Sequence, residues 1–410
     1  MLRLTNPVRH YAWGSTHALP DLIGTRPDGR PHAEIWVGAH PDDPSTGTAD
    51  GRSRPLDRVV AEQAHDLLGA AVRRRFGDRL PYLVKLLAAD RPLSLQVHPD
   101  AERARRRHDD EVAARVPAEQ RRYPDPWHKP EMLVALRPTV ALAGLRDPGD
   151  AAARLAALGP GPVAVLHHVL AVLNAPGPAA PRLRTALGHV LALGTSEVAL
   201  VQSALGEAVP SGVDPVRDAD PVRVARRLAQ HFPGDPGVVA SLLLHPVVLG
   251  VGDALCVPPG VLHCYVTGVG LEVMAASDDV LRAGLTPKVV DAAEVLAALD
   301  AEPSPPEVLR PDPRVAGALR VRAYRSAARE FALLLVDVDA TEPVCVPGAP
   351  VTGPRTLLAL DGVVQVTTGA GRCGLGAGES VLVPDAEGPL RLSGRGTVAV
   401  VGVGAQEWTA

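Results

Sequence analysis

Short apolar runs alternate with Gly, Pro and Asp breaks through the first hundred residues, as in AEIWVGAHPDDPS (33–45). Such runs predict short strands joined by loops. Two stretches change to helical spacing, roughly 55–76 and 99–116. The second contains ERARRRHDDEVAARV, whose charges alternate in sign without aromatics, so it reads as a solvated helix face. From about 146 to 245, Ala and Leu recur at helical intervals in DAAARLAALG, PRLRTALGHVLALG and DPVRVARRLAQHF, which predicts a helical insertion. Asp220 before Pro221 marks a helix start, Gly159 and Gly194 mark stops, and PGPAAP (176–181) reads as a loop. The histidines of this segment read as packing or surface residues. Strand texture returns near 247.

One strand is unusual. In SLQVHPD (94–100), alternation puts Gln96 and His98 on one face and Leu95 and Val97 on the other. Two polar side chains thus point together from an otherwise apolar run. A weak repeat is also present. VGDALCVPPGVLH (251–263) and AGESVLVPDAEGP (377–389) share Gly-[Asp/Glu]-x-x-x-Val-Pro, a turn, a buried strand and a proline-led turn. Two copies suggest two related antiparallel β units. His263 in the first copy corresponds to Pro389 in the second, so the second unit lacks metal chemistry.

Length and composition narrow the class. The chain has 410 residues, enough for two or three domains. A net charge of −4 creates no field suited to nucleic acid or an anionic membrane, so neither is expected as a partner. No apolar run reaches the roughly 20 residues that span a bilayer. MLRLTNPVRHYAWGS has no apolar core of the signal-peptide kind. Four separated cysteines without a CxxC pair fit a reducing cytoplasm and argue against a disulfide framework and a cysteine zinc site. Lysine occurs only at Lys85, Lys129 and Lys288, while Arg serves everywhere else. A lysine retained in such a chain marks a place for a compact point charge or a proton-exchanging amine.

Four groups could form a nitrogen and oxygen shell for a divalent metal: Gln96, His98, Glu131 in WHKPEM, and His263 after the VPPG turn. A hydrogen-bonded core pair explains Gln96 and His98 equally well at this stage. Lys85, Lys129, Arg282 and Lys288 accompany these motifs and suit a phosphate or sugar oxyanion. Glu272 is a lone carboxylate in VGLEVM. Burial there would raise its pKa and suit a proton carrier, whereas an edge position would leave it facing water.

The blocks NPVRHYAWGS, AEIWVGAHPDDPS, PYLVKLLAADRPLSLQVHPD, YPDPWHKPEM and VPPGVLHCYVTGVGLEVMAASDDVLRAGLTPK resemble the class I mannose-6-phosphate isomerases, in order and spacing. The likeness covers most of the first 145 residues and roughly 245–290. It implies a mainly β fold with an α insertion, in which two cupin-like jelly-roll domains accompany a helical domain. The expected division is a catalytic domain in two parts, 1–145 and 246–300, a helical insertion at 146–245, and a metal-free β domain at 301–410.

The resemblance further implies that Gln96, His98, Glu131 and His263 bind one zinc ion per chain, and that Arg282 acts in the site. The implied reaction interconverts mannose 6-phosphate and fructose 6-phosphate through an enediol. Glu272 or Lys129 would carry the proton, and His128 or Lys129 would open the sugar ring. Lys85, Ser94 and Lys288 are expected at the phosphate. A cytoplasmic monomer with a small sugar-phosphate partner is expected. Two other readings remain: a cupin oxygenase using iron, and a sugar-phosphate-binding protein without catalysis.

Overall fold

The computed structural model describes residues 1–49, 51–206, 219–348 and 353–404. Strand accounts for 34% and helix for 30%, so the fold is mainly β. Among the described residues, the strands form two antiparallel sheets, one of eleven strands and one of ten. The spine of the first is the strand His263–Ala275. Its second half lies between Tyr82–Ala89 and Glu131–Ala135. Its first end pairs instead with Thr139–Leu145 and Leu95–Val97. The change of partners falls at a bulge between Tyr265 and Thr267. Gly268 follows with φ +133°, where a Cβ would lie 2.2 Å from Thr139 Oγ1. Only glycine permits that close, bent crossing, and the bend curls the sheet around an interior.

The second sheet joins both ends of the chain. Leu2–Thr5 pairs with Ser380–Val383 on one side and Thr46–Ala49 on the other. A single apolar core runs between the sheets, from Leu2, Leu4 and Leu56 through Val84 and Val273 to Leu333, Leu382 and Val401. Tyr82 is fully buried at this seam, its hydroxyl 3.2 Å from Thr356 Oγ1. The two repeat copies place the matching strands Ala254–Val257 and Ser380–Val383, each followed by its proline, in different sheets.

Several local expectations shift. The stretch read as one helix at 55–76 is broken twice: Leu56–Glu62 and Ala64–Phe76 are separate, and the second is kinked at Gly69, whose φ is +75°. Val59, Val60, Leu67 and Leu68 from the two sides of the break at Gln63 all enter one core. The next helix is Ala101–Ala113, started by Asp100 accepting Arg103 N–H at 2.7 Å. In the insertion, Asp220 caps Pro221–His231, as its place before proline predicts. Helix Ala179–Leu191 begins inside the stretch read as a loop at 176–181, because proline is tolerated in a first helical turn. Among the described residues no helix is long and apolar enough to cross a membrane.

The helical insertion packs on the backs of the strands that matter most. Leu95, Val97, Cys264, Val266, Leu281 and Ala283 all enter the helical core. Their neighbours Gln96, His263 and Arg282 therefore face the other way, into the first sheet's interior.

Candidate active site

Gln96 and His263 stand opposite one another in register. Gln96 Nε2 lies 3.3 Å from His263 Nε2, and the rings of His98 and His263 are 5.0 Å apart. Glu131 begins the strand on the far side of the spine, in register with Met274. Its Oε1 is 3.4 Å from His98 Nε2, and its Oε2 is 3.4 Å from His263 Nε2. Both imidazoles are fully buried.

Hydrogen bonds decide which nitrogens face inward. His98 Nδ1 lies 2.8 Å from the Asp279 carbonyl, and His263 Nδ1 lies 3.0 Å from the Val261 carbonyl. A carbonyl only accepts, so each Nδ1 carries the proton and each Nε2 presents a lone pair. His98 Nε2 and Glu131 Oε2 are buried without a hydrogen-bond partner. Burial is the chief reason that the His98 pKa falls to about 4, so the ring stays neutral. Burial opposes the charge of Glu131, but the carboxyl is held well below its usual range, with the Lys129 ammonium among the groups that favour its charged form.

Two imidazole lone pairs and a carboxylate, converging in a dry interior, repel one another unless a cation lies between them. The group His98, Glu131 and His263 has ligand atoms all within 4.8 Å of one another. A half-turn of the Gln96 amide brings Oε1 to the same point. The donor set therefore fits a zinc ion, and both histidines have the carbonyl support common in such sites.

A second charged group lines the same interior. Lys85 and Glu272 are register partners on adjacent strands, 3.4 Å apart. Glu34 approaches Lys85 from the other side at 3.8 Å and accepts the Trp36 indole N–H at 2.6 Å. Burial alone would lower the Lys85 pKa, but Glu34, Glu272 and Glu131 more than offset it and raise it. Glu272 is raised, first by burial and then by Glu131. Lys129 Nζ lies 3.4 Å from Glu131 Oε1. Glu34 and Trp36 escaped sequence reasoning. Their signal was present, since AEIWVG carries two polar-tipped side chains two residues apart, as SLQVHPD does.

Arg282 is in register with Gln96. Burial lowers its pKa, and the charge of Arg282 is the chief cause of a lowered pKa at Lys288. The two cations are therefore neighbours. Among the described residues, neither has a carboxylate partner. Ser94 Oγ lies 3.4 Å from Gln96 Oε1, on the same side. Lys85 is placed differently from these three, because its ammonium is already matched by two carboxylates.

His128 is tied to the second sheet's part of the chain. Its Nε2 lies 2.9 Å from Glu330 Oε1. Burial would raise the Glu330 pKa, but the bond to His128 and nearby backbone N–H groups hold it low. The pair is an anchor for the loop that carries Lys129 and Glu131. Glu330→Gln should cost about 1 kcal/mol of stability, since His128 is partly open to solvent. Denaturant unfolding of both proteins measures this, and an unchanged midpoint would remove the anchor.

Residues 1–147 match the family model described as phosphomannose isomerase type I, catalytic domain. Mannose-6-phosphate isomerase of Salmonella typhimurium is 35% identical over 406 residues, 98% of this chain and 99% of that one. The chain belongs to the mannose-6-phosphate isomerase family. The rat member is 30% identical over 318 residues, 73% of this chain and 72% of its own. Among solved structures of the family, the Salmonella typhimurium mannose 6-phosphate isomerase described as bound to substrate and a zinc atom is 33% identical. It superposes with a TM-score of 0.85 over 99% of this chain and 100% of that one. A zinc-bound holo form of mannose 6-phosphate isomerase has a TM-score of 0.84 at 33% identity, with 98% and 99% covered. The cupin fold of the family is thus the fold of this chain.

Proposed function

We propose that the chain interconverts mannose 6-phosphate and fructose 6-phosphate, with one zinc ion held by Gln96, His98, Glu131 and His263. The observation that carries the reading is the convergence of the unpartnered His98 Nε2 and Glu131 Oε2 with the His263 lone pair. The whole-chain likeness to named isomerases, one of them described with substrate and zinc bound, supports it. Bound zinc supplies a Lewis acid for charge that develops on the substrate oxygens.

The chain's own residues supply the rest. Glu272 is the proton carrier: buried beside Lys85, its carboxyl has a pKa raised by burial, which favours picking a proton up and handing it back. Lys85 keeps that carboxyl in place, which is the role we assign it instead of phosphate binding. Arg282 faces the interior and stabilises the enediolate as negative charge develops. Lys288 and Ser94 receive the phosphate, with the two unmatched cations providing the attraction. Lys129, bound to Glu131, is left for ring opening, because His128 is held by Glu330.

Every group proposed for the site comes from one chain, so a monomer is sufficient. Free thiols at all four cysteines accord with a reducing cytoplasm. An iron oxygenase has no use for paired cations beside the metal, and a binding protein has no use for a raised-pKa carboxyl.

The test is chelation followed by a coupled assay for fructose 6-phosphate. Turnover should fall to background in the metal-free protein and return with one equivalent of zinc. Stoichiometric iron with oxygen uptake, or a zinc-loaded protein that forms no fructose 6-phosphate, would defeat the reading.

A further inference from the structure

The strand Leu281–Gly284 turns Leu281 and Ala283 into the helical core and Arg282 toward the site. Directly after it, Leu285 takes φ +55°, a conformation that its Cβ disfavours, while its side chain is buried. Such a residue persists only where its surroundings dictate the backbone. Here the surroundings are the helical core that takes the Leu285 side chain and, on the backbone, one carboxylate from the helical insertion. Asp235 Oδ1 accepts Gly237 N–H at 2.7 Å and so caps the short helix Pro236–Ala240. Its Oδ2 accepts Thr286 N–H at 3.2 Å. Thr286 Oγ1 in turn accepts Lys288 N–H at 3.2 Å.

The two backbones meet directly. A Cβ on Gly284 would lie 2.8 Å from both Asp235 Oδ1 and Gly237 Cα, and a Cβ on Gly237 would lie 2.9 Å from Leu285 N. No side chain fits between them. Asp235 therefore grips the turn 284–286 at a fixed distance from the insertion. Arg282 lies two residues before that turn and Lys288 two residues after it.

We propose that Asp235 is a positioning residue for the isomerisation, which locks the turn after Arg282 and thereby sets Arg282 and Lys288 toward the sugar phosphate. The proposal rests on the roles given above to those two cations. It makes the helical insertion part of the catalytic apparatus, beyond backing the strands. Misplacement of a reacting group by about 1 Å can cost on the order of 100-fold in rate.

Asp235→Asn tests it. Asparagine caps a helix as well as aspartate does, so a role confined to the cap survives the change. Its amide offers an acceptor to only one of the two N–H groups and turns its own NH2 on the other. We expect kcat to fall roughly tenfold or more with zinc content unchanged. Adding Leu285→Gly should then restore kcat severalfold, because glycine takes a positive φ unaided. The same double variant should show a lower Tm, since a buried leucine is lost. A purely structural role moves activity and Tm in the same direction.

A kcat for Asp235→Asn within twofold of wild type overturns the proposal, as does a double variant no more active than the single one. Failure of the isomerase reading shows separately, as a zinc-loaded wild type without turnover. The crystal structure of Asp235→Asn then decides: a Leu285 released from positive φ upholds the grip, and an unmoved turn refutes it.

Discussion

His98→Ala will lose bound zinc and isomerase activity together. His98 is fully buried, and Asp279 fixes its proton on Nδ1, so Nε2 points at Glu131 with nothing else to bond. Alanine removes that lone pair and opens a void beside a carboxylate. Glu131, His263 and the neutral Gln96 then remain, and two strong donors do not hold zinc as three do. A Lewis acid is worth several kcal/mol of transition-state stabilisation, so turnover should fall about 10³-fold or more. Metal analysis of the purified variant and the coupled assay measure both halves. Stoichiometric zinc in His98→Ala would take His98 out of the shell.

Arg282→Ala is expected to separate the two properties. The side chain contributes no metal donor, so zinc should stay stoichiometric. Turnover should fall roughly 10²- to 10³-fold, the usual cost of removing a group that meets developing negative charge. The loss should lie in kcat more than in KM, because the interaction strengthens as the enediolate forms. Strand Leu281–Gly284 remains held by Leu281 and Ala283 in the helical core, so the fold should persist. A variant with wild-type kcat would reduce Arg282 to a strand residue.

These two variants together distinguish a metal ligand from a charge-stabilising group. Asp235→Asn resembles Arg282→Ala in leaving zinc in place, but it acts at a distance and is rescued at Leu285. A shared phenotype without rescue would mean that Asp235 does not act through the turn at Leu285.

One edge of the site was legible from alternation. Period two put Gln96 and His98 on one face of their strand, and the structure sends Leu95 and Val97 the other way into the helical core. The same rule applied to AEIWVG would have drawn attention to Glu34 and Trp36, which hold Lys85. Each of the three lysines has a charged neighbour: Lys85 and Lys129 each lie against an interior carboxylate, and Lys288 lies beside Arg282.

Other features had no local signature. Whether Gln96 and His98 were a core pair or half of a shell depended on Glu131 and His263, which arrive from strands 35 and 167 residues further on. Pairing over such separations is decided by sheet register, and no short window contains it. The partner of Lys85 was undecidable for the same reason, as was the bond that takes His128 to Glu330. The second sheet recruits Leu2–Thr5 from the opposite end of the chain.

By itself, then, the sequence determined the element types, the shared face of Gln96 and His98, the helical insertion and, through its motifs, the family. Those properties depend on spacing along a few residues of backbone. The tertiary structure alone decided which nitrogen of each histidine faces inward, which carboxylates neutralise which lysines, and that Asp235 of the insertion holds the turn after Arg282. Those depend on distances between groups far apart in the chain, where a shift of one residue in register or loss of the bend at Gly268 would reassign the partners.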